Sequence, residues 1–171
     1  MFEKISLEGA QSGLSWLTIL RKREAYRRVF HNFDVDRVAA MTQEDVERVL
    51  QEEDVENTRN IIVRHRGKIE AVINNAQCIQ QMWRKEEQKR GDDDHKQGNH
   101  DGVLDALLWS FVQDQPLLNS WNGQLIDAPS QTVESQAMSK ALKKLGFKFV
   151  GPTTCYAMMQ SLGMVIDHPV D

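Results

Sequence analysis

Helical periodicity constrains this chain more than any other feature. Apolar side chains recur at helical spacing in segment after segment, and no stretch alternates with period two between turn signals. That pattern predicts an all-α fold. In "SWLTILRKREAYRRVF", Trp16, Ile19, Leu20, Arg23 and Arg27 share one face, which Val29 and Phe30 extend, and Ser15 stands where a hydroxyl caps a first turn. "MTQEDVERVL" sets Thr42 and Asp45 as a capping box, with Val46, Val49 and Leu50 on the buried face. "IIVRHRGKIEAVINNAQCIQQM" places Ile62, Ile69, Val72, Ile73, Ala76, Ile79 and Met82 on one side, and Gly67 weakens its opening turns. "LDALLWSFV" is short and apolar nearly all round and reads as a central buried helix.

At 171 residues, 40% of them apolar, the chain is expected to be one domain over 1–171 with a real core. It holds no apolar run long enough to span a membrane. Its start, "MFEKISLEGA", lacks the basic and apolar regions of a secretory signal, so a nuclear or cytoplasmic, non-secreted protein is expected. A monomer is expected as well. Cys78 and Cys155 lie far apart and read as buried, reduced thiols. A net charge of −4 does not favour a nucleic-acid partner overall, so any such contact must be local. Residues 84–102, "RKEEQKRGDDDHKQGNHDG", carry no apolar side chain and are expected as a solvated, mobile insert. His95, His100 and the neighbouring aspartates fit that polar tract better than a metal site.

A second constraint lies in "ALKKLGFKFVGPTTCYAMMQSLG", residues 141–163. Met138, Ala141, Leu142 and Leu145 make the apolar face of one helix, and Gly146 suits its left-handed end. Pro152 opens another helix, which Tyr156, Met159 and Leu162 continue and Gly163 ends. The unit 138–163 is therefore helix, hairpin, helix, with Phe147 or Phe149 and Val150 as inward anchors. Lys140, Lys143, Lys144 and Lys148 surround the hairpin. Its glycines and the following helix start suit a phosphate held by backbone amides. The other reading of this stretch is an αα-hairpin with ordinary surface lysines.

Several motifs then follow in order: "LEGAQSGLSWLTILRKREAYRRVFHNFD", "IVRHRGKIEAVINNA", "LWSFV" and "SKALKKLGFKFVGPTTCYAMMQSLGMVIDH". Together they resemble the constitutive type I (Tag) family of DNA-3-methyladenine glycosylases, over nearly the whole chain apart from the polar insert and a few residues near "EDVENTRN". The resemblance implies an all-α helix–hairpin–helix glycosylase fold. It implies a partner, double-stranded alkylated DNA, and a reaction, hydrolysis of the N-glycosidic bond of a flipped 3-methyladenine. It matches Glu8 to the family's base-recognising glutamate and Trp16 to its pocket tryptophan. Gly13 and Leu14 match the turn that enters the gap in the duplex, and Gly146, Lys148, Gly151, Thr153 and Thr154 the backbone grip. Outside that context Glu8 reads as a solvated helix-end carboxylate, and Trp16 and Leu14 as core. "RHRGK", 64–68, is either a further phosphate patch or a solvated helix face, and "RKREAYRR" is a charged helix face.

The resemblance also implies a family segment ahead of Met1, with a Cys-Gly-Trp start and a Tyr-His-Asp-x-Glu-Trp-Gly stretch. That segment carries two structural-zinc ligands and aromatic residues of the pocket. His168 matches the third ligand position, and the fourth, a cysteine, falls one residue beyond Asp171. Structural zinc takes four ligands. The expectation is zinc in full-length family members, no cofactor on this chain, and His168 as the lone position of an incomplete site. Two functional expectations follow: an active glycosylase, or a short paralogue with an impaired pocket that serves as a DNA-binding module.

Overall fold

The computed structural model describes residues 1–54, 56–90, 100–118 and 129–167. Helix α1 (Phe2–Gln11) is followed by α2 (Trp16–Arg21), α3 (Arg23–Val29), α4 (Val35–Ala39), α5 (Gln43–Gln51), α6 (Arg66–Arg90), α7 (His100–Ser110), α8 (Val133–Lys144) and α9 (Pro152–Ser161). Short 3-10 turns at His31–Phe33 and Thr58–Asn60 join some of them. The fold is all-α, as the periodicity predicts. Its one sheet among the described residues is a two-residue parallel ladder, β1 (Leu117–Leu118) beside β2 (Val165–Ile166).

The local start signals work as read. The Ser15 hydroxyl accepts from the Thr18 N–H at 3.2 Å, and Thr42 and Asp45 close a reciprocal capping box on α5. Thr132 and Ser135 form a second capping box on α8. Pro152 sits in the first turn of α9, and Gly146 is left-handed with φ +92°.

Four expectations change. The single helix expected from Ser15 to Phe30 breaks at Lys22, whose backbone (φ −103°, ψ 4°) leaves the helical region. Its ammonium reaches the carbonyls of Thr58 and Ile61, and that tertiary anchor turns the chain; Leu20 is left 44% exposed, off the buried face. The expected helix over 61–82 starts at Arg66, so Ile62 is buried from an extended segment and Gly67 falls in the first turn, where a weak helix former matters least. The polar tract is not all loop: α6 runs through its first seven residues to Arg90, and α7 begins at His100. Once packing has nucleated α6, each added Lys, Glu, Gln or Arg gains a backbone bond at little propensity cost. Residues 91–99, His95 included, lie outside the described residues. Helix α7 buries Leu104 and Leu108 but exposes Ala106, so it is amphipathic and only half buried.

One buried cluster joins these helices, built on Phe2, Ile5, Ile19, Phe30, Ile69, Ile79, Met138, Leu142 and Met159. Helix α1 lies at its centre, against α2, α6 and α9, and is buried continuously from Ile5 to Ala10. Glu3 ties its start to α3 through Arg23 (2.7 Å) and Arg27 (3.0 Å). Burial alone raises the Glu3 pKa, but bonding to the two guanidiniums outweighs it and holds the carboxyl below its ordinary range. Among the described residues no helix is long and apolar enough to cross a membrane.

Candidate functional site

The central position of α1 decides the environment of Glu8. Its carboxylate is 4% exposed, not solvated at a helix end. A carboxylate taken out of water needs charge or hydrogen-bond partners. Lys4, one turn earlier, brings its Nζ to 2.9 Å from Oε1. The Ser161 hydroxyl on α9 lies 3.3 Å from the same oxygen and 2.7 Å from the Met158 carbonyl, so its one proton serves either acceptor. Among the described residues Oε2 has no hydrogen-bond partner. Trp16, the first residue of α2, is half-buried against the core, and the Lys4 ammonium stands 4.7 Å from its ring centroid. Glu8 and Trp16 thus share one cation, the Lys4 ammonium.

The chain leaves α1 through a tight turn. Gly13 adopts φ +76°, and a Cβ added there would meet nothing, so the position demands backbone freedom and not space. Leu14 donates its N–H to the Gln11 carbonyl at 2.8 Å and accepts from the Gln11 side-chain amide at 3.0 Å. Lys68 donates to the carbonyl of Ala10 at 2.9 Å and to that of Ser12, filling acceptors that the end of α1 leaves open. Burial lowers the Lys68 pKa. The side chain of Leu14 is half-buried and rests on the core.

The hairpin between α8 and α9 meets the same end of the molecule. Phe147 and Val150 are buried, so Phe147 is the inward aromatic anchor, while Phe149 is 37% exposed in the left-handed region at φ +55°. A Cβ on Gly9 would come 3.2 Å from the Phe149 Cβ, so Gly9 is the close approach that lets α1 pack under the hairpin. The Phe149 ring also meets His65 edge-on, centroids 6.4 Å apart.

Two asparagines of α6 clamp the turn. Asn75, buried, accepts the Lys148 N–H on Oδ1 at 2.8 Å and donates to the Lys148 carbonyl at 3.1 Å. Asn74 donates to the Gly146 carbonyl at 2.8 Å and to Asn75 Oδ1 at 3.2 Å. Lys140, Lys143, Lys144 and Lys148 are all exposed. Gly151 precedes α9 without any side-chain cap, and Thr153 and Thr154 follow in the first turn, exposed and half-buried. The opening N–H groups of that helix have no acceptor within it. "RHRGK" divides: Arg64 and Arg66 face Glu53 and Glu47, whereas His65 and Lys68 support the hairpin and the turn.

The buried carboxylate with the turn that follows it, and the clamped hairpin, therefore gather from two distant parts of the sequence. A family model described as methyladenine glycosylase matches residues 1–171. The chain belongs to the methyladenine glycosylase family. It is 47% identical over 170 residues to DNA-3-methyladenine glycosylase 1 of Escherichia coli (strain K12), with 99% of this chain and 79% of that protein aligned. Against the DNA-3-methyladenine glycosylase of Haemophilus influenzae identity is 43% over 168 residues, 98% of this chain and 78% of the relative. A crystal structure of 3-methyladenine DNA glycosylase I (TAG) superposes with a TM-score of 0.81 at 46% identity, covering 99% of this chain and 80% of that one.

The zinc position expected at His168 is not among the residues described in this methyladenine glycosylase chain. Among the described residues no group of three or more His, Cys, Asp or Glu is placed to hold a metal ion. Both thiols are free and buried. Burial pushes the Cys155 thiol up to about 12, against a small opposing pull from Lys143.

Sequence reasoning overlooked Lys4, Ser161, Asn74 and Asn75. The "NN" pair in the middle of an otherwise apolar helix face was a usable signal, since buried amides must find partners. Lys4 was legible too, one turn before Glu8.

Proposed function

We propose that this chain is a DNA-3-methyladenine glycosylase, acting as a monomer on alkylated duplex DNA. The observation that carries the reading is a carboxylate 4% exposed whose Lys4 partner also stands over an indole, in a chain of this family. Glu8 accepts from the exocyclic amine of the flipped base, and Trp16 offers a ring to stack on. An N3-alkylated adenine in DNA is cationic. It leaves with the electron pair of the C1′–N bond as a neutral base, while water bonds to C1′ and releases a proton. Protonation of the leaving group is not needed, so the work of this chain is extraction, positioning and discrimination.

Leu14 supplies an apolar wedge for the opened step, presented by the Gly13 turn. The backbone around Gly146, Lys148, Gly151, Thr153 and Thr154 holds the phosphates, and the exposed lysines add salt-dependent attraction. The site therefore lies where the cell keeps its DNA. Both curated relatives are bacterial, so nothing supports the nuclear half of the sequence expectation.

The test is release of free 3-methyladenine from methylated duplex DNA. Wild type is expected to release it, and Glu8→Gln to lose at least about 2 kcal/mol of transition-state binding, roughly 30-fold. A chain that binds duplex but releases no base would refute the enzymatic reading in favour of a DNA-binding module.

A further inference from the structure

Lys4 makes the two contacts that the proposed reaction needs for its base. Its ammonium is 2.9 Å from Glu8 Oε1 and 4.7 Å from the centroid of Trp16. A cationic purine would seek the same carboxylate and the same aromatic ring. Two cations cannot share that space without repulsion, and an aromatic face covered by an ammonium is closed to stacking. Lys4 can also leave. Its side chain is 23% exposed against 4% for Glu8, and it is long and flexible enough to turn into water while α1 stays in place.

We propose that Lys4 is an internal competitor for the base pocket, a specificity-determining residue that occupies Glu8 and Trp16 in the free protein and is displaced when a cationic base enters. The inference rests on the reading of Glu8 and Trp16 as base-binding groups. In the free chain Lys4 compensates the buried carboxylate. A cationic base takes over that role, so entry exchanges one cation for another. A neutral base brings no charge to exchange, and Lys4 then stays on Oε1 and only withdraws from the ring. Lys4 thus weakens binding of the cation while leaving neutral bases little affected.

The experiment is a tryptophan-fluorescence titration of the full chain with 3,9-dimethyladeninium, which carries the charge of the alkylated nucleotide, and with neutral adenine. Wild type is compared with Lys4→Met, Lys4→Gln and Lys4→Arg, each checked for folding by circular dichroism. Lys4→Met and Lys4→Gln are expected to bind the cation about tenfold more tightly and adenine less than about threefold more tightly. Lys4→Arg keeps the charge and stays within about twofold of wild type. In wild type, saturating cation is expected to speed acetylation of Lys4 relative to exposed Lys140, a readout that needs no variant.

Unchanged cation affinity in the uncharged variants, or equal tightening for adenine, overturns the competition. So does a Lys4 acetylation rate indifferent to the cation. If no version binds either base, the base pocket itself is refuted, and the competition falls with it.

Discussion

Replacing Asn75 by alanine removes the Lys148 half of the clamp on the hairpin while leaving the Asn74–Gly146 bond and the base pocket untouched. The two bonds with Lys148 are lost, from its N–H at 2.8 Å and to its carbonyl at 3.1 Å, and with them the longer bond from the Asn74 amide at 3.2 Å. Each contributes about 0.5–1.5 kcal/mol, so a loss of about 2 kcal/mol is expected, equivalent to a fall in Tm of roughly 4–8 °C for a domain of this size. Asn75→Asp keeps the acceptor for the N–H but sets a carboxylate oxygen against the Lys148 carbonyl, so it is expected to lose at least as much. Freed of its clamp, the turn must be ordered on binding. A cost of about 1 kcal/mol weakens duplex affinity roughly fivefold. Urea denaturation reads the first effect, and fluorescence anisotropy with an undamaged duplex, well below Tm, reads the second. Binding of the free base is expected to stay at the wild-type level. Loss of stability with wild-type duplex affinity would refute the hairpin as the grip. An equal loss of base affinity would refute the separation of grip from pocket.

Lys148→Glu is expected to weaken duplex binding and to reduce the slope of log K against log salt by about 1, read by anisotropy at several salt concentrations; an unchanged slope would remove Lys148 from the phosphate contacts. Gly13→Ala meets no atom but must hold φ +76°, so about 1 kcal/mol of strain is expected, with base release from DNA falling more than binding of the free base. Equal falls in the two assays would deny the turn its wedge role. Glu3→Gln is expected to lower the urea midpoint at pH 7. Because the folded carboxyl titrates below its ordinary value of 4.5, its contribution is complete above that value and is lost as pH falls through the lower, folded one. The wild-type and variant midpoints therefore converge on acidification, and a gap persisting at low pH would contradict the ion-pair account.

Much of the fold was legible because its signals are local. Ser15, Thr42, Gly146 and Pro152 each act on backbone groups within a turn of themselves, and all four behave as their residue types dictate. The exceptions have tertiary causes. Lys22 breaks a periodic helix because its acceptors lie 36 and 39 residues away. The polar tract stays helical through Arg90 because helix propagation, unlike nucleation, needs no burial.

The candidate site divides along the same line. Residue types and order were enough to mark Glu8, Trp16, Gly13 and the hairpin as candidates, because a family motif is a property of sequence. Whether Glu8 is solvated or buried was not. That depends on α1 lying at the centre of the core, where Ser161, 153 residues away, reaches the same oxygen as Lys4. The clamp from Asn75 to Lys148 spans 73 residues. Spacing along a chain reports which groups share a helix face, through the 3.6-residue period. It carries no information on which faces meet, since that is decided by how all the apolar surfaces bury one another at once. The residue types, and Lys4 one turn before Glu8, were therefore written locally, whereas the burial of that carboxylate and its distant partner Ser161 were decided only by packing.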